Sequence, residues 1–227
     1  MDNIELNQES KQKVPFFKSK LFFIILAVLI AGVAVGSYIA REHKMAQKAR
    51  EEEEEYIKLL NETANTISQM NQPLQNISAI YAEVWNVSIK QDLYLSGIAK
   101  YLGVEESVVS ENAPSDKIKT GRRGEYIERG DFNTALITVR NVLLREDIYN
   151  QVESAQSTIE ENIKSLNTPP EKYKDIYDGV VDYYTTYAMF LDLAISPTGS
   201  YLTYTKNIND LSTQLESQYS TLQVSMP

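Results

Sequence analysis

An all-α protein is predicted: one N-terminal transmembrane helix, then a long-helix antiparallel bundle of about four helices. Three observations carry this expectation. The twenty residues from Leu21 to Ala40 hold no charge and are dominated by Leu, Ile, Val, Phe and Ala. Beyond them, apolar residues recur at alternating steps of four and three along most of the chain. Glycine and proline, nine and seven residues, gather mostly in three places and leave long stretches free for helices.

At 1.5 Å per residue, a helix over 21–40 crosses a hydrocarbon core of roughly 30 Å. A helix is also the form in which a spanning backbone satisfies its own hydrogen bonds. Gly32 and Gly36 make a G-x-x-x-G pair that could bring two such helices together as a homodimer, although small residues are ordinary in a membrane span. Residues 1–20 form a basic tail with Lys11, Lys13, Lys18 and Lys20, suited to the cytoplasmic side. Arg41, Lys44, Lys48 and Arg50 balance that count behind the span, so size decides. A short tail kept inside and a long domain exported is a signal-anchor arrangement. The expected place is therefore the cell membrane, single-pass, with the N-terminus cytoplasmic and the C-terminal domain outside. Ala34-Val35-Gly36 resembles a signal-peptide cleavage site, but the apolar run exceeds the ~7–15 residues of such a peptide.

About 187 residues remain after the span, enough for one domain with a core of its own. The net charge of −9 argues against nucleic acid and anionic lipid as broad electrostatic partners. With no cysteine there is no disulfide, thiolate nucleophile or lipoprotein attachment site. The single histidine is His43, just past the span, whereas tyrosine occurs fifteen times and tryptophan once, at Trp85.

Residues 41–55 read as a charged helical stalk, and 56–225 as an extracytoplasmic bundle with a long loop at 111–130. The first bundle helix carries a seam at Tyr56, Leu60, Thr63, Ile67, Met70, Leu74, Ile77, Tyr81 and Val84. Its phase runs through Pro73, which fits either a kinked helix or two stacked ones. Segment 97–110 resembles the helix-turn-helix of DNA-binding regulators through Ala99, Gly103 and Val109-Ser110. Its second helix, however, offers Glu105, Glu106 and Glu111 and no Arg or Lys to meet phosphates. A helix end capped by Gly103 and a short second helix is the simpler reading.

The 111–130 connection is locally basic, with Lys117, Lys119, Arg122, Arg123 and Arg129. Gly121-Arg122-Arg123-Gly124 lacks the spacing of a phosphate loop. Asp131 is placed to cap the next helix, predicted over 131–166 with a seam at Phe132, Leu136, Val139 and Leu143. A second seam runs through Ile148, Val152, Ala155, Ile159, Ile163 and Leu166, and the slip between the two predicts a bend. Thr168, Pro169 and Glu171 form a capping-box pattern for the third helix, which places Tyr177, Val180, Tyr184, Tyr187, Leu191 and Ala194 on one stripe. Asp175, Asp178 and Asp182 lie on its other face, with no histidine placed to complete a metal site. After Ser196-Pro197-Thr198-Gly199, a last helix carries Tyr204, Ile208, Leu211, Leu215, Tyr219 and Leu222. On its Pro-Pro and Ser-Pro-x-Gly signals, Pro169 to Leu222 resembles the C-terminal helical hairpin of uncharacterised single-pass membrane-anchored or lipoprotein-like proteins of Gram-positive bacteria. That resemblance covers a quarter of the chain and implies no catalytic residue.

The expected function is a non-enzymatic module, membrane-anchored and extracytoplasmic, that binds a partner at the cell surface, either a protein or an anionic ligand. No catalytic, cofactor-binding or metal residues are expected. The candidate contact residues are Arg122 and Arg123 in the basic connection, and Tyr183 and Tyr201 as an exposed aromatic patch for sugar or protein contacts. Two alternatives stand beside it: a membrane-tethered regulator that uses 97–110 on DNA, and a hydrolase working through two carboxylates.

Overall fold

The computed structural model describes the backbone of residues 20–226 and the side chains of residues 41–226. Among the described residues the chain forms α1 (Lys20–Lys90), β1 (Leu93–Tyr94), α2 (Leu95–Leu102), α3 (Glu106–Asn112), β2 (Ile118–Gly121), β3 (Gly124–Ile127), α4 (Phe132–Arg145), α5 (Ile148–Ser165), α6 (Lys174–Ile195) and α7 (Tyr201–Ser225). It divides into two compact units, one up to Glu54 and one from Glu55 onward. In the first, residues 41–54 are almost all exposed, and Gln47–Glu51 and Lys48–Glu52 pair one helical turn apart.

The seam expected on the first bundle helix is the centre of the second unit. Leu60, Thr63, Ile67, Leu74, Ile77, Tyr81 and Val84 are buried, with Trp85 beside them. Pro73 lies inside α1 without ending it. The carbonyl it deprives of a partner belongs to Gln69, an exposed residue where water can take over that hydrogen bond. α7 runs antiparallel to this seam. Asn65 pairs with Tyr219, Gln75 with Ser212, and Ser78 with Tyr204, so rising numbers on α1 meet falling ones on α7. α6 and α7 approach closely at Gly179, where an added Cβ would stand 3.0 Å from Leu222 Cδ2.

The all-α expectation, with about four helices, is corrected. A three-stranded antiparallel sheet in the order β1-β3-β2 occupies part of the stretch read as a loop. Ile127 lies opposite both Leu93 and Ile118, and Gly121 opposite Gly124, leaving Arg122 and Arg123 at the hairpin tip. Strands of two to four residues are too short to display an alternating pattern. The tip also lacks the Asn-Gly or Asp-Gly signal of a tight hairpin. The helix expected over 131–166 is two helices, because Asp147 at φ 62° turns the chain between α4 and α5. Asp131 does cap α4, accepting from Thr134 N and Thr134 Oγ1 at 3.2 and 2.8 Å. The capping box at Thr168 does not form: its hydroxyl meets Asn167, and a 3-10 turn at Glu171–Tyr173 leads into α6.

Among the described residues no helix is long and apolar enough to cross a membrane. The N-terminal transmembrane helix is corrected accordingly. With it go the signal-anchor arrangement, the cytoplasmic and extracytoplasmic placement of the termini, the integral-membrane partnership and the homodimer through Gly32 and Gly36. The stretch 21–40 itself lies outside the residues whose side chains are described. An apolar run is a property of composition, and the helix that contains this one does not end with it: α1 continues through the charged residues 41–55 to Lys90.

Two substitutions test the local geometry. Asp131→Ala should cost about 1 kcal/mol by removing the cap. Gly103→Ala should cost about 1 kcal/mol, because Gly103 closes α2 at φ 69° with nothing within 4 Å of its Cβ position, so only backbone strain opposes the change. Urea denaturation of each variant beside the parent chain measures both.

Candidate functional site

The tyrosines that fill the core of the second unit must bury rings and still satisfy hydroxyls. Tyr81 and Tyr149 place their hydroxyls 2.5 Å apart, and Tyr149 donates onward to the Ile195 carbonyl at 3.3 Å. Tyr204 donates to the Ser78 carbonyl at 3.4 Å, and Tyr56 to that of Leu166 at 3.2 Å. Tyr187 is buried with its hydroxyl unpartnered. Burial raises the phenol of each: Tyr56 to about 12, and Tyr81, Tyr183, Tyr187 and Tyr204 well above the ordinary value.

Above the α1–α7 contact this core leaves a groove of about 740 Å³. On α1 it is lined by Ala82, half-buried, and Ala79, exposed, whose small side chains leave it open. Gln75 closes one end by donating to Ser212 Oγ at 2.6 Å. Tyr201 and Tyr204 stand at the other end against Trp85, with ring centroids 6.3 and 5.7 Å from it. Along the walls stand Asn86 on α1 and Thr205, Asn209 and Thr213 on α7, carrying amides and hydroxyls. Glu83 is the single carboxylate among the lining residues.

The expected site residues fall in separate places. Tyr201 lines the groove and is half-buried. Tyr183 is 1% exposed and stacks on Tyr219 at 6.0 Å, so it forms no surface patch with Tyr201. Arg122 and Arg123 are exposed at the β2–β3 tip, and Arg123 borders a recess of about 350 Å³ with Tyr94, Tyr101 and Asp92. The structure therefore does not unite the four. The groove residues Ala79, Ala82, Asn86 and Asn209 escaped sequence reasoning because they lie beside the seams rather than on them. Alanines three residues apart on an otherwise bulky helix edge were the available signal.

Neither functional alternative survives the geometry. α2 and α3 pack as a short helical pair with Ile98, Ala99 and Val109 buried, while Glu105, Glu106 and Glu111 face outward and Glu111 binds Arg145 at 2.6 Å. This surface repels phosphate, so the DNA-regulator reading is corrected. The hydrolase reading is corrected because no hydrolase motif is present: Asp175, Asp178 and Asp182 stand on the exposed face of α6, apart from the described recesses. Among the described residues no group of three or more His, Asp or Glu could hold a metal ion. Compared with known proteins, the chain matches no family model, no curated protein and no solved structure. The resemblance of its C-terminal hairpin to membrane-anchored or lipoprotein-like proteins is corrected on that finding.

The phenols predict how the fold responds to alkali. Tyrosines of the unfolded chain lose their protons near pH 10, whereas the buried ones of the folded chain hold theirs to higher pH. The folded state then carries more protons than the unfolded one, so stability is full below about pH 10 and falls as pH rises beyond it. A titration followed at the phenolate absorbance should show the exposed tyrosines first and the buried set only together with loss of helical circular dichroism. Tyr187→Phe should hold or raise stability, by up to about 1 kcal/mol, since it removes an unpartnered buried hydroxyl; a loss in urea denaturation would contradict this.

Proposed function

We propose that the second unit is a non-catalytic binding module whose α1–α7 groove holds a small, neutral, polar ligand. One observation carries the reading: the groove combines small side chains at Ala79 and Ala82, an aromatic end at Tyr201 and Tyr204, and amide and hydroxyl side chains along its rims. Its volume falls within the range of small-molecule sites. Amides and hydroxyls each offer donors and acceptors, which match a ligand bearing hydroxyl or amide groups and give no advantage to a charged one. Catalysis would call for a base beside a nucleophile or for two carboxylates with opposed environments, and the lining residues supply Glu83 alone.

Saturation-transfer NMR on the full chain, with neutral sugars and blocked dipeptide amides as probes, tests this. At least one probe should bind, be recovered chemically unchanged, and lose its signal in Ala82→Phe, where the ring fills the groove. Glu83→Gln should leave binding within about twofold, because a neutral ligand gains little from the charge. Binding that survives Ala82→Phe, or conversion of the probe, would overturn the proposal.

A further inference from the structure

A second recess, of about 350 Å³, lies between α4 and the C-terminal end of α6. Tyr81, Asn133, Leu136, Ile137, Arg140, Ile195, Ser196 and Pro197 line it, and Arg140 gives it a cation that the α1–α7 groove lacks. Asn133 and Arg140 stand seven residues apart and so share one face of α4, with Leu136 and Ile137 between them. Ile137 is 48% exposed and gives the recess an apolar wall beside Leu136.

The charge in this recess has no counterpart. Arg145, five residues further along α4, is neutralised by Glu111 at 2.6 Å. Arg140 has no carboxylate within ion-pairing distance among the described residues. Its guanidinium lies close enough to the Tyr81 and Tyr149 phenols to oppose the rise that burial imposes on them. Two carbonyls in the last turn of α6 are already engaged. Ile195 accepts from Tyr149, and Asp192 accepts from the Ser196 N–H at 3.0 Å.

We infer that this recess binds a small organic carboxylate, its charged end on Arg140 and its apolar body against Leu136, Ile137 and Pro197. A guanidinium presents parallel N–H donors that match the two oxygens of a carboxylate. The Asn133 amide and the Ser196 hydroxyl border the same space and supply further donors. The apolar side chains at Leu136, Ile137 and Pro197 favour an organic carboxylate over an inorganic anion, because they give its body a surface to bury. The site shares no residue with the α1–α7 groove, so it stands or falls apart from it.

Benzoate and its uncharged isostere benzamide are the probes, titrated into the full chain by isothermal calorimetry. Benzoate should saturate at one equivalent, and benzamide should bind at least about tenfold more weakly. Arg140→Gln should weaken benzoate by at least about tenfold, while Arg140→Lys, which keeps the charge but not the fork, falls between. Arg122→Gln with Arg123→Gln, on the distant hairpin tip, should change benzoate affinity by less than about twofold. Arg140 is exposed, so each variant should retain the parent's circular dichroism. A benzoate isotherm that fails to saturate, equal affinity for benzamide, or undiminished binding in Arg140→Gln overturns the inference.

Discussion

The buried stripe of α1 from Leu60 to Trp85 is the constraint on which the second unit depends. α7 lies along it through Tyr204, and α5 reaches it through the Tyr81–Tyr149 hydroxyl pair. The approach to α4 is fixed by Trp85 against Phe132 and by the Gly130 N–H on the Ser88 carbonyl at 2.7 Å. A stripe nearly seven turns long gives each partner helix its own stretch of surface. The continuity of α1 through Pro73 is therefore a packing result: a break there would shift the phase of every contact on one side.

Tyrosine is what lets so long a stripe be covered by helices of unequal length. A leucine core needs only matching volumes, whereas a buried tyrosine costs stability unless its hydroxyl reaches an acceptor, which Tyr187 alone of this set fails to do. Several of those acceptors are main-chain carbonyls, at Ser78, Leu166 and Ile195. Two of these are at or beside helix C-termini, where carbonyls lack intrahelical partners. The same side chains thus fill the core and close helix C-termini.

How much of this could be read from the residues depends on the range of the forces involved. The seam of α1 was legible because periodicity is written in the segment itself, as were the αL cap at Gly103 and the Asp131 cap. The turn at Asp147 showed only as a slip in phase between Leu143 and Ile148. The sheet was not legible, since strands held by a few main-chain bonds around Ile127 leave almost no pattern. The capping box at Thr168 failed because local preference competes there with the burial of Tyr173, whose ring stacks on Tyr56 at 6.0 Å. The membrane span was inferred from composition alone, and composition does not say which longer helix a run belongs to. Of the groove residues only Tyr201 was singled out, and as half of an exposed patch with Tyr183, whose ring is in fact buried.

The groove follows from the same packing. Two antiparallel helices in contact along their whole length would leave no cavity, and the spacing of α1 and α7 is set where bulky groups meet: Trp85 and Tyr204 at one end, Gln75 and Ser212 at the other. Between those points α1 offers Ala79 and Ala82, which cannot fill the space that the end contacts hold open. Ala79 is exposed and Ala82 half-buried, so the space is a groove open to solvent and not a void in the interior. The two small side chains keep it open between the contacts that set its ends.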